Sequence, residues 1–349
     1  IPNPQSPIPN PQFKKFIYMM SKIGNSFNIK KFLIFLLLLL NLLFFINKNI
    51  YSLEIFNYFF NKNAQKMNLV VPLISKDFEK IYNNLRFYIN YIDGIKNVVF
   101  IGNEEIENLI KEKGNKYSLN FSINFINEKI LLDIDKIKQL INKRNKYAIE
   151  RSGWYIQQFL KMIYCNVCQD EFYLIWDSDT IPVKKVNMFN SNGKPFFDVK
   201  TEYHKPYFIT MKKIFPDLGK KYKFSFVSEH MIIKTNLMKN MINLISANNN
   251  LIGDTWYEKI INCINIKDLP RSGFSEYETY GTFVKEYYKQ IYDIRPWKSL
   301  REGYLYFNPK FYSSVHSICF LELFARRDTR WLQRRAGPNF LATVLCCAQ

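Results

Sequence analysis

Residues 171–182 run EFYLIWDSDTIP. Glu171 is followed by five large apolar residues, Phe172 to Trp176, and then by Asp177-Ser178-Asp179. A short apolar run closed by a polar turn reads as a strand buried on both faces, the strand type of a parallel sheet. On an extended backbone, residues two apart point the same way. Asp177 and Asp179 are therefore expected to converge at the carboxyl end of a buried strand, where open α/β sheets bind ligands. Close carboxylates repel unless a cation lies beside them. Mg²⁺ or Mn²⁺ prefers oxygen ligands and shares them readily with a diphosphate. Asp177 and Asp179 are accordingly read as a metal site; the structural alternative for such a pair is a turn or a helix cap.

Outward from this strand, short apolar runs alternate with helical patterns. NLVVPLI (68–74), NVVFIG (97–102) and FSINFI (121–126) read as strands. Helices are expected at about Asp77–Tyr91, around 104–113, near 133–147 and from Gly153 to Tyr164. This order implies an α/β layer fold, a mostly parallel sheet flanked by helices, over residues 67–318.

The flanks differ in composition. IPNPQSPIPNPQ (1–12) repeats one pentapeptide, and its proline density opposes helix and ladder formation. Residues 1–31 read as a disordered, cytosolic tail, or in part as a product of where the reading frame opens, with Met19 or Met20 as the start. FLIFLLLLLNLLFFI (32–46) is apolar apart from Asn41 and follows Lys30 and Lys31. It is shorter than the roughly 20 residues of a full span, yet no small-residue cleavage site follows it. It reads as a signal anchor, with 47–66 as a stem. The lysines before it favour an N-terminus in the cytosol and a catalytic domain across the membrane. That orientation suits a type II enzyme of a Golgi-like lumen in a eukaryote. The alternative is a bacterial inner membrane with a cytoplasmic domain. The sequon Asn120-Phe121-Ser122 is compatible with a lumen. Residues 319–349 carry Arg and Ala but no Lys, and read as a foreign or frame-shifted tail.

The 349-residue chain is 48% hydrophobic and 17% aromatic, so it can bury a sizeable core. Its formal charge of +19 comes from scattered lysines without a basic run or a nucleic-acid motif. Nucleic acid is therefore not expected as a partner. Cys165 and Cys168 form one CxxC without the second pair that a structural zinc needs.

Three further segments carry candidate chemistry. In GWYIQQFLKM (153–162), Trp154, Gln157, Gln158 and Lys161 share one helix face opposite Ile156, Phe159, Leu160 and Ile163. Lys161 suits a phosphate; a solvated face is the alternative. FSFVSEHMII (224–233) alternates like a strand. In it His230 is a candidate for a phosphate or an acceptor hydroxyl and Glu229 for a base, against a satisfied core His and an edge-exposed Glu. In SGFSEYETYG (272–281), Ser275 can cap a helix and Glu278 can complete a capping box. Glu276 has no such role, and a carboxylate there suits deprotonation of an attacking sugar hydroxyl.

The order GWYIQQFLKM, YLIWDSDTIP, TEYHKPYF, FSFVSEHMIIKTNLMKNMI and GFSEYETYG resembles a little-characterised group of predicted glycosyltransferases with the GT-A fold, whose bacterial members are known only as a domain of unknown function. The resemblance covers roughly residues 67–318. It implies a doubly wound domain that binds a nucleotide sugar, with a metal (Mn²⁺ or Mg²⁺) at Asp177 and Asp179 and with His230 and Glu276 in the site. On that footing Asp179 is expected to bind the metal directly and Asp177 to contact metal, ribose or both. Asp77, Lys161 and Gln157 are expected at the nucleotide sugar, and Glu276, with Glu229 second, as the base. The expected reaction moves a sugar to a glycan or lipid-linked acceptor. The rival expectations are a membrane-tethered binding protein on the same scaffold, and a nucleotidyltransferase, for which no Gly-rich phosphate cradle is found.

Overall fold

The computed structural model describes residues 65–113, 121–300 and 317–319, and Leu36 besides. Leu36 aside, these fall within one compact unit, Ala64–Gln349. Among the described residues no helix is long and apolar enough to cross a membrane. The expected tail (1–31), anchor (32–46) and nearly all of the stem lie outside the described residues, as do 320–349 and Asn120.

The fold is mixed α/β with a mostly parallel central sheet flanked by helices. Its strands are β1 (Met67–Pro72), β2 (Ile95–Gly102), β3 (Ser122–Asn127), β4 (Phe172–Trp176) and β7 (His230–Lys234), in the spatial order β3-β2-β1-β4-β7. The first four pair in parallel, and β7 runs antiparallel to β4. Every residue of β4 is buried, as are all of β1 but Asn68. Continuous burial on both faces explains why these strands read as unbroken apolar runs.

From β1 the chain moves outward to β2 and β3, then returns past β1 to β4. Connections therefore leave β1 and β4 in opposite directions, the topological switch point at which open α/β sheets bind ligands. Gly102, the last residue of β2, comes so close to its neighbour that a Cβ there would lie 2.8 Å from the Leu73 carbonyl oxygen. A side chain at 102 would push the ends of β2 and β1 apart.

The flanking helices are α1 (Ser75–Tyr91), α2 (Glu104–Lys113), α3 (Glu128–Leu131), α4 (Ile134–Arg144) and α5 (Ser152–Ile163). Then follow α6 (Lys205–Ile214), α7 (Thr235–Ala247), α8 (Trp256–Cys263) and α9 (Glu276–Tyr287). In α1, Phe78, Ile81, Tyr82, Leu85 and Tyr88 recur at helical spacing and are all buried. Their rings key the helix to the sheet: Phe78 meets Phe100 edge-on at 6.1 Å and Tyr88 meets Trp176 at 6.0 Å. Helix α8 starts on a capping box formed by Thr255 and Glu258. Beside the main sheet lie a parallel pair, β6 (Phe196–Val199) with β8 (Asp293–Pro296), and a small sheet of β5 (Thr180–Pro182), β9 (Ser299–Leu300) and β10 (Ser317–Cys319).

Three local expectations are corrected. The helix expected near 133–147 ends at Arg144; Asn145 is extended, and its side chain caps a 3₁₀ stretch, Lys146–Arg151. The strand expected over 224–233 begins only at His230. Ahead of it Glu229 has φ 65°, a left-handed conformation that no strand tolerates. Glu278 does not close a capping box. Ser275 accepts the Glu278 N–H at 3.2 Å, but the Glu278 carboxylate reaches away to the Ser225 hydroxyl (2.7 Å) and the Phe226 N–H (2.9 Å). A buried carboxylate thus satisfies backbone that a ladder partner would otherwise hold.

Candidate active site

Strand β4 delivers Asp177 to the switch point. Its N–H donates to the Glu229 carbonyl at 2.9 Å, and its own carbonyl accepts the Thr180 N–H at 3.1 Å. Residues 177–180 are therefore a tight turn, not an extended strand, and alternation does not bring Asp177 and Asp179 together. The turn separates their roles. Asp177 faces inward to a cluster of side chains, while Asp179 is half-buried and accepts the Thr180 hydroxyl at 3.2 Å.

The cluster draws on three elements. Lys161 of α5 is 3% exposed, and its ammonium reaches Asp177 Oδ1 at 2.5 Å and Glu276 Oε1 at 2.8 Å. The Tyr277 hydroxyl donates to Asp177 Oδ1 at 3.0 Å and accepts from Lys161 at 3.2 Å, and its ring lies under the ammonium. Glu276 and Tyr277 form the first turn of α9, and the Glu276 N–H is held by the buried Gln158 Oε1 at 3.1 Å. Only part of the polar face of α5 is closed: Gln158 and Lys161 point into the molecule, and Trp154 and Gln157 are half-buried. Gln158 Nε2 is buried and unpartnered among the described residues. Neither Tyr277 nor Gln158 carries a predicted role; the available signals are the place of Gln158 beside Lys161 on the polar face of α5 and of Tyr277 beside Glu276.

The electrostatics are unbalanced. Lys161 carries one positive charge against the two carboxylates of Asp177 and Glu276. Burial pushes the Glu276 carboxyl above its usual range, against the pull of Lys161 and with the help of Asp177. Burial alone would lower the Lys161 ammonium, but the Asp177 and Glu276 charges outweigh it and hold it well above the ordinary lysine range.

Glu229 and His230 border this cluster without joining it. Glu229 is buried and bonded to Lys200 (2.5 Å) and to the Ser299 hydroxyl (3.0 Å). It is not the edge-exposed residue of the structural alternative, and its left-handed backbone presents the carbonyl that Asp177 uses. His230 is 1% exposed, with Nδ1 against the Ser228 carbonyl (2.9 Å) and Nε2 against Asp198 (2.8 Å), and it lies flat on Trp176. Asp198 is gripped from its other side by Arg295, through Nε at 2.5 Å and Nη2 at 2.7 Å. With both ring nitrogens engaged and no surface, His230 is a satisfied core histidine; contact with a phosphate or a hydroxyl is not its place in this structure.

On the β1 side, Asp77 is half-buried in the first turn of α1 and its side chain has no partner among the described residues. Gln157 reaches the Pro72 carbonyl at the end of β1, at 3.4 Å. Both therefore stand at the β1 lip of the switch point, opposite Asp177 and Asp179.

Residues 64–297 match a family described only as a "Family of unknown function (DUF6492)", two thirds of the chain. The chain belongs to DUF6492. No curated protein matches it. Among solved structures, apo mouse xyloside xylosyltransferase 1 is similar, with a TM-score of 0.39 and 10% identity over 73% of this chain and 97% of that one.

Whether this DUF6492 chain fits a divalent metal turns on its oxygen donors. Among the described residues no group of three or more His, Cys, Asp or Glu could hold an ion unaided. Asp177 and Asp179 offer two carboxylates. That suits Mg²⁺ or a similar ion, which takes one or two carboxylates and completes its shell with water and substrate phosphate. The surplus negative charge around Lys161 favours a further cation. Asp177 Oδ1 is already taken by Lys161 and Tyr277, so the donors that fit are its other oxygen and Asp179.

Proposed function

We propose that this chain is a glycosyltransferase of the GT-A type, taking a sugar from a nucleotide donor with the help of Mn²⁺ or Mg²⁺ and passing it to a glycan or lipid-linked acceptor. The observation that carries the reading is the position of Asp177 and Asp179 at the carboxyl end of β4, where the crevice of a doubly wound sheet binds ligands. A metal bound there would neutralise charge developing on the departing diphosphate.

The chain's own residues then have distinct parts. Asp179, at the turn, is the direct oxygen ligand. Asp177 is oriented by Lys161 and Tyr277, so that its second oxygen is aimed at metal or ribose. Asp77 and Gln157 line the β1 lip where the nucleotide lies. Lys161, which shares its charge between two carboxylates, sets their geometry and does not bind phosphate itself. Glu276, held above the usual carboxylate range by burial, is the carboxylate placed to take a proton from an acceptor hydroxyl.

A specific observation favours the second reading, a non-catalytic sugar or nucleotide binder: Glu276 is 3% exposed and already bonded to Lys161. Nucleoside diphosphate binding followed by melting temperature, with and without Mn²⁺, tests the shared premise. A rise of several degrees that requires both ligands supports it; no rise with either rejects it. Residues 32–46 are proposed as a membrane anchor and the domain as lumenal, on the apolar run and the lysines that precede it.

A further inference from the structure

TEYHKPYF (201–208) forms no part of the cluster above, yet it stands beside it. Its segment starts α6, where Thr210 donates to the Gly273 carbonyl at 2.6 Å and His204 Nε2 lies 2.8 Å from the Ser272 carbonyl. Both contacts fall on the loop that leads into Glu276. Tyr207 lies close enough to feel that carboxylate: burial first and then the Glu276 charge push its hydroxyl up to about 12.

Across from it stands Trp154 at the start of α5. The Trp154 and Tyr207 ring planes are only 14° apart, with centroids 6.5 Å from each other, and His204 leans on Tyr207 at 4.5 Å. All three are half-buried; Trp154 and Tyr207 are near-parallel, and His204 is tilted by 59° to Tyr207. Near-parallel, partly exposed rings are the surface on which the apolar face of a sugar ring packs.

The second observation is Arg151. Its guanidinium lies 4.5 Å over the Trp154 ring and donates through Nη2 to the Ser272 hydroxyl at 2.8 Å. Its Nε is buried without a partner, and among the described residues the anionic groups acting on it are the Tyr207 and Tyr155 hydroxyls and no carboxylate. Burial lowers its pKa without making it neutral. A half-buried guanidinium without an anion is costly unless an anion arrives.

We infer that Arg151, Trp154, His204 and Tyr207 form the acceptor subsite, and that the acceptor is a sugar carrying a negatively charged substituent. The rings hold the sugar face and Arg151 holds the carboxylate or phosphate, next to Glu276. This inference rests on the transferase reading for the word acceptor, but the binding itself does not.

Saturation-transfer NMR on the full chain tests it with three probes: a neutral methyl glycoside, a methyl glucuronide and a glucose phosphate. The anionic probes should bind about tenfold or more tightly than the neutral one, the size of one charge-assisted hydrogen bond. Arg151→Gln should erase that preference, Arg151→Lys should keep part of it, and Tyr207→Leu should weaken all three probes. Preference for glucuronide points to an acidic glycan, and preference for the phosphate to a phosphosugar or lipid-linked acceptor. Equal binding of neutral and anionic probes, a preference that survives Arg151→Gln, or binding of none overturns the inference. Should Arg151→Gln not fold, the Lys variant decides: a reduced preference in the folded variant supports the inference, and an unchanged preference overturns it. Donor hydrolysis by the wild-type chain is measured separately. Hydrolysis without saccharide binding sinks the subsite alone, and saccharide binding without hydrolysis sinks the transferase alone.

Discussion

Replacing Lys161 by Met is the sharpest test of how the cluster is held. Met keeps the volume and the apolar stem and removes only the charge. Two carboxylates then face each other without a cation, one of them, Glu276, 4% exposed and the other, Asp177, 26% exposed. Removing one partner of a buried pair costs roughly 3–5 kcal/mol. Because Asp177 is partly solvated, the lower part of that range applies, about 3–4 kcal/mol. For a domain of this size the loss corresponds to a fall in melting temperature of about 6–16 °C. The cost depends on pH in a definite direction. A carboxyl raised by burial contributes stability that is present below its unfolded value of about 4.3 and is lost as pH rises through its folded value. Glu276 is raised already and rises further without Lys161. The deficit of the variant is therefore smallest near pH 5 and widens toward pH 8. Thermal melts by circular dichroism at both pH values measure it, and adding Glu276→Gln should restore much of the loss at pH 8. A fall of under about 2 °C at pH 8, or an equal fall at both pH values, refutes the reasoning.

Two further outcomes follow from the surroundings of the cluster. Glu229 holds φ 65°, so Glu229→Ala and Glu229→Gly both lose the Lys200 contact, but only glycine is at ease there; the Ala variant should be less stable by about 1 kcal/mol in urea titration. Asp198 is held below the usual carboxylate range: burial opposes this, and Arg295 and His230 outweigh it. Such a depressed group contributes stability that is present above its unfolded value of about 3.9 and is lost as pH falls through its folded value. Asp198→Asn should therefore lower stability at pH 7 and flatten the loss between about pH 4 and pH 2, as seen in acid titrations followed by tryptophan fluorescence.

The main sheet was legible because its strands are buried on both faces. LVV in β1, VVFI in β2 and FYLIW in β4 are unbroken apolar runs, and the helices between them show their apolar faces at helical spacing. Strands β6 and β8 were not legible: each is four residues long and carries a charge, Asp198 or Arg295, whose partner lies about a hundred residues away. A lone Asp in FFDV was the available signal, since a charge inside an apolar run needs a buried partner. Residues 224–229 misled because alternation is also compatible with a loop whose polar groups are met by a distant carboxylate, here Glu278. Asp177 and Glu276 stand out in the sequence, but the direction of the Asp177 side chain does not, because a turn at 177–180 replaces the extended backbone that alternation assumes. The role of Lys161 emerged only from the packing of α5 against α9, which no spacing encodes.

Donor turnover tests the proposed transfer most directly. Release of nucleoside diphosphate from a panel of nucleotide sugars should be followed for the full chain and for Asp179→Asn, with Mn²⁺ and with a chelator. If the chain is a metal-dependent transferase, release from one donor requires the metal and falls by about a hundredfold or more in the variant, the scale of losing one electrostatic contact to the leaving group. No release from any donor by a folded chain, or release that is indifferent to both chelator and variant, contradicts it.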